Sequence, residues 1–205
     1  MFEAFTDDVF QNQKPNDLNK LENLTLNMAG NSDNTPSSCI DPDSFIINRR
    51  KTMEVQVGSM IVGGNSPISV QSMCNTFTYD VKATVNQIHS LEEAGCEIIR
   101  VAVPDEKSVM GLKEIRKETN TPLVADIHFD YRLAIMAAEA GVDCLRINPG
   151  NINGEDRVTE VVAAAKDHGL SIRIGVNAGS LEKHLLDRYG GSTPEAMIES
   201  GLRHI

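Results

Sequence analysis

Short apolar runs alternate with amphipathic stretches over most of the chain. The apolar runs cover residues 68–73, 97–103, 122–127, 143–147 and 171–176. The amphipathic stretches cover residues 81–94, 106–118, 131–140 and 155–168, and a fifth begins near Thr193. Gly95, Gly141 and Gly169 follow three of these stretches, where the C-terminal cap of a helix favours a left-handed residue. The pattern predicts strand–helix units that repeat every 21–29 residues, which is typical of a parallel sheet in a barrel or a doubly wound fold.

The two faces of the four later strands differ in polarity, because successive side chains of a strand point to opposite sides. One face is apolar and carries Ile99, Val101, Val103, Leu123, Ala125, Ile127, Leu145, Ile147, Ile172, Ile174 and Val176. The other face becomes polar toward its C-terminal end and carries Arg100, Asp126, His128, Arg146, Asn148, Arg173 and Asn177. A doubly wound sheet is covered by helices on both faces, so both should be apolar. A barrel instead has a closed interior whose C-terminal mouth holds the active site. We therefore predict an α/β fold of the TIM-type (β/α) barrel class.

The predicted barrel is incomplete and has an extension before it. About five βα units are recognisable, whereas a complete TIM-type barrel has eight strands, and the last helical stretch reaches Ile205 without a cap. A small β-hairpin around Gly58 is expected to cap the barrel region, residues 48–205. Residues 1–47 hold eight acidic residues and only two lysines, −6 of the total charge of −10. We predict that this acidic tail is disordered.

Three inward arginines in an acidic protein point to an anionic ligand. Arg100, Arg146 and Arg173 would repel one another unless an anion binds between them, and planar guanidinium groups suit phosphate. Asn148, Asn151 and Asn177 add neutral donors, close to glycines where backbone amides can approach an anion. The run from Asn177 to Ser180 also stands just ahead of a possible helix start. A phosphorylated or diphosphorylated small molecule is the expected ligand, although single strand-borne arginines also occur in structural ion pairs.

Other polar residues near the mouth leave two interpretations open. Asp126 and His128 are candidates for a catalytic acid–base pair, yet Asp126 could equally neutralise a neighbouring arginine. Gln71 and Asn75, near the end of the first strand, could contact the ligand or form a turn. The cysteines Cys39, Cys74, Cys96 and Cys144 lie far apart without a CxxC pair, so no metal site is expected from this chain alone.

Composition narrows the classes of partner. A net charge of −10 argues against general binding to nucleic acid or to a membrane surface. No apolar run approaches the roughly 20 residues that span a bilayer, and no secretory signal precedes the acidic N-terminus. Unpaired cysteines suit a cytoplasmic location.

Several long motifs in this region resemble the 4-hydroxy-3-methylbut-2-enyl diphosphate synthases of the non-mevalonate isoprenoid pathway. The motifs are VQSMCNT at residues 70–76, DVKATVNQI at 80–88, PLVADIHFDY at 122–131, DCLRINPGN at 143–151 and IRIGVNAGSLE at 172–182. The resemblance runs from about Asn48 to Ile205. It implies a TIM barrel joined to a C-terminal domain with a [4Fe–4S] cluster, whose ligands and domain are absent from this chain.

The resemblance also implies an activity and partners. Family members reductively convert 2-C-methyl-D-erythritol 2,4-cyclodiphosphate with electrons from flavodoxin or ferredoxin, and they are homodimers. Arg146, Arg173 and Asn177 are then expected to bind the diphosphate. Arg100, Asp126, His128, Asn148 and Asn75 would line the same pocket, and the present chain alone is expected to be inactive. The alternatives are a truncated, non-catalytic remnant and a pterin-binding barrel of the dihydropteroate synthase type, which the low aromatic content of 4 % disfavours.

Overall fold

A computed structural model of the chain describes residues 51–152 and 154–205. The predicted acidic tail lies outside these described residues. The described part begins with an antiparallel hairpin formed by β1 (Glu54–Val57) and β2 (Met60–Gly63). Gly58 stands in the turn with a φ of +57°, a conformation that glycine adopts without steric cost. The predicted hairpin is therefore confirmed.

Five parallel strands form the second sheet of the described part, and they neighbour one another in chain order. The strands are β3 (Gln71–Met73), β4 (Ile98–Ala102), β5 (Leu123–Ile127), β6 (Cys144–Ile147) and β7 (Ser171–Ile174). The helices that connect them are α1 (Val81–Glu93), α2 (Glu106–Glu118), α3 (Tyr131–Glu139) and α4 (Glu155–Asp167). A 3₁₀ turn (Ala178–Ser180), α5 (Lys183–Tyr189) and α6 (Pro194–Arg203) follow β7. This succession of βα units confirms the predicted incomplete TIM-type barrel.

Two elements differ from the prediction. The first parallel strand is shorter than residues 68–73, because the N–H of Val70 donates to the carboxylate of Glu97 at 2.8 Å and not to a strand partner. Ile68 is 80 % exposed, so the apolar start of this run is not part of the core. Helix α5 lies where a possible helix start was noted after Ser180, but its bounds were not predicted, since its seven residues are too few to show a clear helical period.

The helices after β3, β4 and β5 begin at aspartates that follow each strand within a few residues. Asp80, Asp105 and Asp130 accept hydrogen bonds from the N–H groups of Ala83, Ser108 and Arg132 at 3.1, 2.8 and 3.0 Å. Such caps stabilise a helix by about 1 kcal/mol each. They fix the carboxyl ends of the strands, where the polar residues of the inner face lie.

The outer and inner faces of the five-stranded sheet pack against different partners. Alternating apolar residues of β4, β5 and β6 form one core with helices α1 to α4, as expected for the outside of a barrel. On the inner face, Ile98, Val124 and Cys144 pack instead against Val57 and its neighbours in the β1–β2 hairpin. The hairpin therefore fills the interior at the amino ends of the strands. Within the described part, no helix is long and apolar enough to cross a membrane.

Candidate anion-binding site

Asp126 on β5 lies at the centre of a charged cluster on the inner face. Its Oδ2 accepts hydrogen bonds from Arg100 Nη2 at 2.6 Å and lies 3.0 Å from His128 Nε2. Its Oδ1 accepts from Arg146 Nη1 at 3.1 Å. The carboxylate is fully buried, and the side chains of Arg100 and Arg146 are 16 % and 7 % exposed. The sheet produces this contact directly, since Asp126 pairs with Arg146 in the parallel register and its other neighbour, β4, carries Arg100.

The ion pairs described at this cluster join two guanidinium groups to one carboxylate. The Nε of Arg100 is also buried without a hydrogen-bond partner among the described residues. His128 extends toward solvent, with its side chain 46 % exposed. Guanidinium groups on the exposed side of the cluster would attract an anion.

Arg173 on β7 reaches across the interior to the first strand of the sheet. Its Nη1 donates to Oε1 of Gln71 on β3 at 2.6 Å, although 102 positions separate the two residues in sequence. Arg173 pairs with Arg146 in the β6–β7 register. In the described part of the chain, Arg173 has no carboxylate within ion-pair distance. It therefore adds a positive charge beside the cluster around Asp126.

The loops that follow β6 and β7 are joined at Ser180. Asn148 is buried and its Nδ2 donates to Ser180 Oγ at 2.6 Å, while its Oδ1 accepts from the N–H of Gly150 at 3.2 Å. Ser180 in turn donates from its N–H and from its Oγ to the carbonyl of Asn177. A Cβ on Gly150 would collide with the backbone carbonyl of Ser180. Glycine therefore permits the close approach of these loops.

Asn75 lies in the loop after β3 and is held by helix α1. Its N–H donates to Gln87 Oε1 at 3.1 Å, and its Oδ1 accepts from Gln87 Nε2 at 2.8 Å. This reciprocal pair holds the loop against helix α1.

The predicted site residues fall into three groups. Arg100, Asp126, His128 and Arg146 are in direct contact, and Arg173 lies beside Arg146 on the next strand. Asn148, Asn151 and Asn177 occupy the loops joined at Ser180, where the N–H of Asn151 donates to the carbonyl of Asn148. Asn75 contacts none of these side chains in the hydrogen bonds described.

The sequence left the role of Gln71 open between ligand contact and turn former, and it did not single out the side chains of Gln87 and Ser180. Each acts by holding another residue: Gln71 holds Arg173, Gln87 holds Asn75, and Ser180 holds Asn148. The only signal available was their position at a strand end, in a loop, or on an amphipathic helix. Such positions do not identify a partner far away in sequence.

The cysteines of the described part do not form a site for an iron–sulfur cluster. Cys74, Cys96 and Cys144 are buried and free, and no group of three His, Cys, Asp or Glu side chains in residues 51–152 and 154–205 could hold a metal ion. Burial raises the pKa of Cys74 to about 11 and also raises that of Cys144. Both remain thiols near neutral pH, whereas metal ligation requires the thiolate. The described residues therefore do not fit such a cluster.

Solved structures with a similar arrangement of elements include dihydropteroate synthases. The enzyme from Yersinia pestis matches with a TM-score of 0.50 and 14 % sequence identity, over 74 % of this chain and 58 % of that chain. A dihydropteroate synthetase with a bound product matches with a TM-score of 0.50 and 13 % identity, over 74 % and 62 % of the two chains. At such low identity the likeness shows the fold alone.

Closely similar sequences are named 4-hydroxy-3-methylbut-2-en-1-yl diphosphate synthase (flavodoxin). The protein from Maridesulfovibrio salexigens is 62 % identical over 160 residues, which cover 78 % of this chain and 45 % of the relative. The protein from Ruegeria pomeroyi is 63 % identical over 159 residues, which cover 78 % of this chain and 42 % of the relative. The chain thus spans less than half the length of these curated relatives. The family profile described as the GcpE TIM-barrel domain matches residues 52–205, and the chain belongs to this family.

Proposed function

We propose that this chain is the substrate-binding, N-terminal part of a 4-hydroxy-3-methylbut-2-en-1-yl diphosphate synthase. The proposed reaction opens the ring of 2-C-methyl-D-erythritol 2,4-cyclodiphosphate and removes a hydroxyl, with two electrons supplied by a protein donor. Identity above 60 % to relatives of that name supports the proposal. This identity favours the synthase over a pterin-binding barrel, because the dihydropteroate synthases share the fold at only 13–14 % identity.

The observation that carries the proposal is the contact of one buried carboxylate with two guanidinium groups. Asp126 contacts both Arg100 and Arg146, and Arg173 pairs with Arg146 on the neighbouring strand. A diphosphate is a multiply charged anion that accepts paired hydrogen bonds from planar guanidinium groups. The inner face of the sheet therefore suits the charge of the proposed substrate.

We assign the diphosphate to Arg146, Arg173 and Asn177, which lie on β6, on β7 and just beyond β7. In this proposal Arg173 exchanges its hydrogen bond to Gln71 for one to the substrate. Arg100, Asn148 and Asn151 line the same pocket. Asn75 lines its edge, at the end of β3.

Asp126 and His128 have different proposed roles. Asp126 is buried and contacts two guanidinium groups, so it serves best to orient Arg100 and Arg146. His128 is the more accessible of the two, and its Nε2 lies 3.0 Å from Asp126. A partly exposed imidazole is suited to give or accept a proton at the mouth. We therefore propose His128 as the proton-transferring group and Asp126 as its orienting partner.

The electron-transfer part of the proposed enzyme lies outside this chain. A [4Fe–4S] cluster would supply the electrons of the reaction, held by residues of a further domain. Relatives are named as flavodoxin enzymes, so we propose flavodoxin as the electron donor, with ferredoxin as the alternative. The proposal includes a homodimer of the complete enzyme and a cytoplasmic location.

The test is the affinity of the 205-residue chain for 2-C-methyl-D-erythritol 2,4-cyclodiphosphate, measured by calorimetric titration. Arg146→Ala and Arg173→Ala should each raise Kd. A hydrogen bond to a charged group contributes about 1.5–3 kcal/mol, which corresponds to roughly a 10- to 150-fold change. Lys117→Ala also removes one positive charge. Lys117 lies near the C-terminal end of α2, and in a βα barrel this end of the helix lies away from the mouth. This control should leave Kd unchanged.

The outcomes separate the competing functions. Equal affinity in the parent, Arg146→Ala and Arg173→Ala would end the assignment of the diphosphate to these arginines. Binding of a pterin diphosphate in preference to the cyclodiphosphate would favour the dihydropteroate synthase type. A folded chain that binds neither compound would favour a non-catalytic remnant.

A further inference from the structure

Gly175 lies just beyond β7, on the inner face between Arg173 and Asn177. Its N–H donates to the carbonyl of Ile147 at 2.8 Å and so continues the pairing of β6 with β7. A Cβ built on Gly175 would lie 2.6 Å from Cζ of Arg146 and still closer to its Nε and Nη2. The three nearest atoms all belong to one guanidinium group. The end of the Arg146 side chain therefore occupies the space that a side chain at position 175 would take.

The backbone does not require glycine at this position. The φ of Gly175 lies outside the left-handed region, where glycine is favoured over other residues. Glycine within a strand-like segment also weakens it, because it lacks a side chain to pack. Gly95 and Gly169 differ in both respects, since each has a positive φ and open space around its missing Cβ. The space needed by Arg146 is the remaining reason for glycine at position 175.

Arg146 is held on its other side by Asp126. Its Nη1 donates to Asp126 Oδ1 at 3.1 Å, and its side chain is only 7 % exposed. The guanidinium group thus lies between a buried carboxylate and the Cα of Gly175. A methyl group on that Cα would push the guanidinium group away from its present position relative to Asp126. The backbone need not move, because the colliding atoms are the end of a flexible side chain.

We propose that Gly175 is a positioning residue of the anion site. Because Gly175 has no side chain, the guanidinium group of Arg146 can lie against its Cα and keep its present position. The consequence for binding rests on the proposed function, in which Arg146 binds the substrate diphosphate. The consequence for Arg146 itself does not, since it follows from the geometry of β6 and β7. Gly175 acts through Arg146 and makes no contact with the ligand.

The experiment compares Gly175→Ala with Gly201→Ala in the 205-residue chain. Gly201 lies in α6, and a Cβ there would meet only Val176 Cγ2, at an ordinary 3.9 Å. The first measurement is the ¹⁵N–¹H spectrum of the arginine Nε groups, in which the Arg146 signal is identified by its loss in Arg146→Lys. We expect this signal to shift in Gly175→Ala and to stay in place in Gly201→Ala.

The second measurement is Kd for inorganic pyrophosphate in a double-mutant cycle. Gly175→Ala should raise Kd at least tenfold in the parent chain and less than twofold in an Arg146→Ala background. An equal effect in both backgrounds, or no effect in either with an unshifted Arg146 signal, would overturn the proposal. If Gly175→Ala fails to fold, Arg146→Ala/Gly175→Ala should fold because the collision is gone. Failure of both variants would also overturn it.

The two measurements distinguish this inference from the proposed function. A parent chain that does not bind pyrophosphate contradicts the proposed anion site, but the Arg146 signal still decides the role of Gly175. A shifted signal in Gly175→Ala then supports the positioning role. An unshifted signal excludes it.

Discussion

Asp126 uses both carboxylate oxygens, one for Arg146 and the other for Arg100 and His128. Burying a carboxylate destabilises the fold unless the carboxylate is paired. Loss of this carboxylate would likewise leave the two buried guanidinium groups without this partner. If the arginines bind a ligand as proposed, Asp126 therefore links folding to ligand binding. Without Asp126, the arginines would repel each other on the inner face.

Asp126→Asn should lower the free energy of unfolding by about 3–5 kcal/mol, because breaking a buried ion pair leaves an uncompensated charge. Urea unfolding of the 205-residue chain measures this change. Added pyrophosphate should recover more stability in the variant than in the parent, since the anion replaces the missing negative charge.

Asp130→Asn is the matched control for this change. Asp130 caps α3, and asparagine caps a helix about as well as aspartate. Its partner Arg132 is 72 % exposed, so the lost ion pair contributes little. A similar small loss in both variants would show that Asp126 does not carry a buried ion pair.

At the residue scale, strand alternation predicts much of the site. The shared parity of Arg100, Asp126 and Arg146 is enough to place them on one face, and adjacent strands bring them into contact. The bond between Gln71 and Arg173 was not predictable, because it depends on how strongly the sheet curves. The same holds for Gly175, whose environment is set by a side chain from another strand.

At the element scale, most bounds follow from local signals in the sequence. Helix α2 occupies the predicted residues 106–118, between the cap at Asp105 and the next strand. The bounds of helix α5 were not predicted, because the helix is short and follows a 3₁₀ turn. Strand β3 is shorter than its apolar run, because the side chain of Glu97 accepts the hydrogen bond from the N–H of Val70. In a longer strand this N–H would donate to a neighbouring strand.

The β1–β2 hairpin is an element whose contribution to stability can be measured separately. Val57 is 3 % exposed and packs against Ile98, Val124 and Cys144, whereas Ile61 on the same hairpin is 46 % exposed. Val57→Ala removes two buried methyl groups at about 0.8 kcal/mol each and leaves a cavity, so a loss of roughly 2 kcal/mol is expected. Chemical denaturation should show this loss.

Ile61→Ala tests the same hairpin at a position outside the core. Its expected loss is under about 0.5 kcal/mol, as for most surface substitutions. If Val57→Ala were no more destabilising than Ile61→Ala, the hairpin would not be docked in the interior of the sheet.

At the scale of the whole molecule, the chain is proposed to provide a binding surface, and its described part has no group of three His, Cys, Asp or Glu side chains that could hold a metal ion. Dehydroxylation of the proposed substrate requires two electrons, and amino-acid side chains do not supply electrons at low potential without a cofactor. We therefore expect no reductase activity from the 205 residues alone.

Anaerobic reconstitution with iron and sulfide, followed by an assay with cyclodiphosphate and a strong reductant, measures this activity. A full-length relative reconstituted in parallel serves as the positive control. Stable cluster absorbance together with turnover by the 205-residue chain would contradict the expectation. It would also show that this chain itself provides ligands for the cluster.

The hairpin that fills the amino end of the interior also has a kinetic consequence. In a closed barrel, a ligand bound by the arginines as proposed would have one route of exchange with solvent, through the carboxyl ends of the strands. Substrate and product would then share this route, so the product would have to leave before the next substrate could enter.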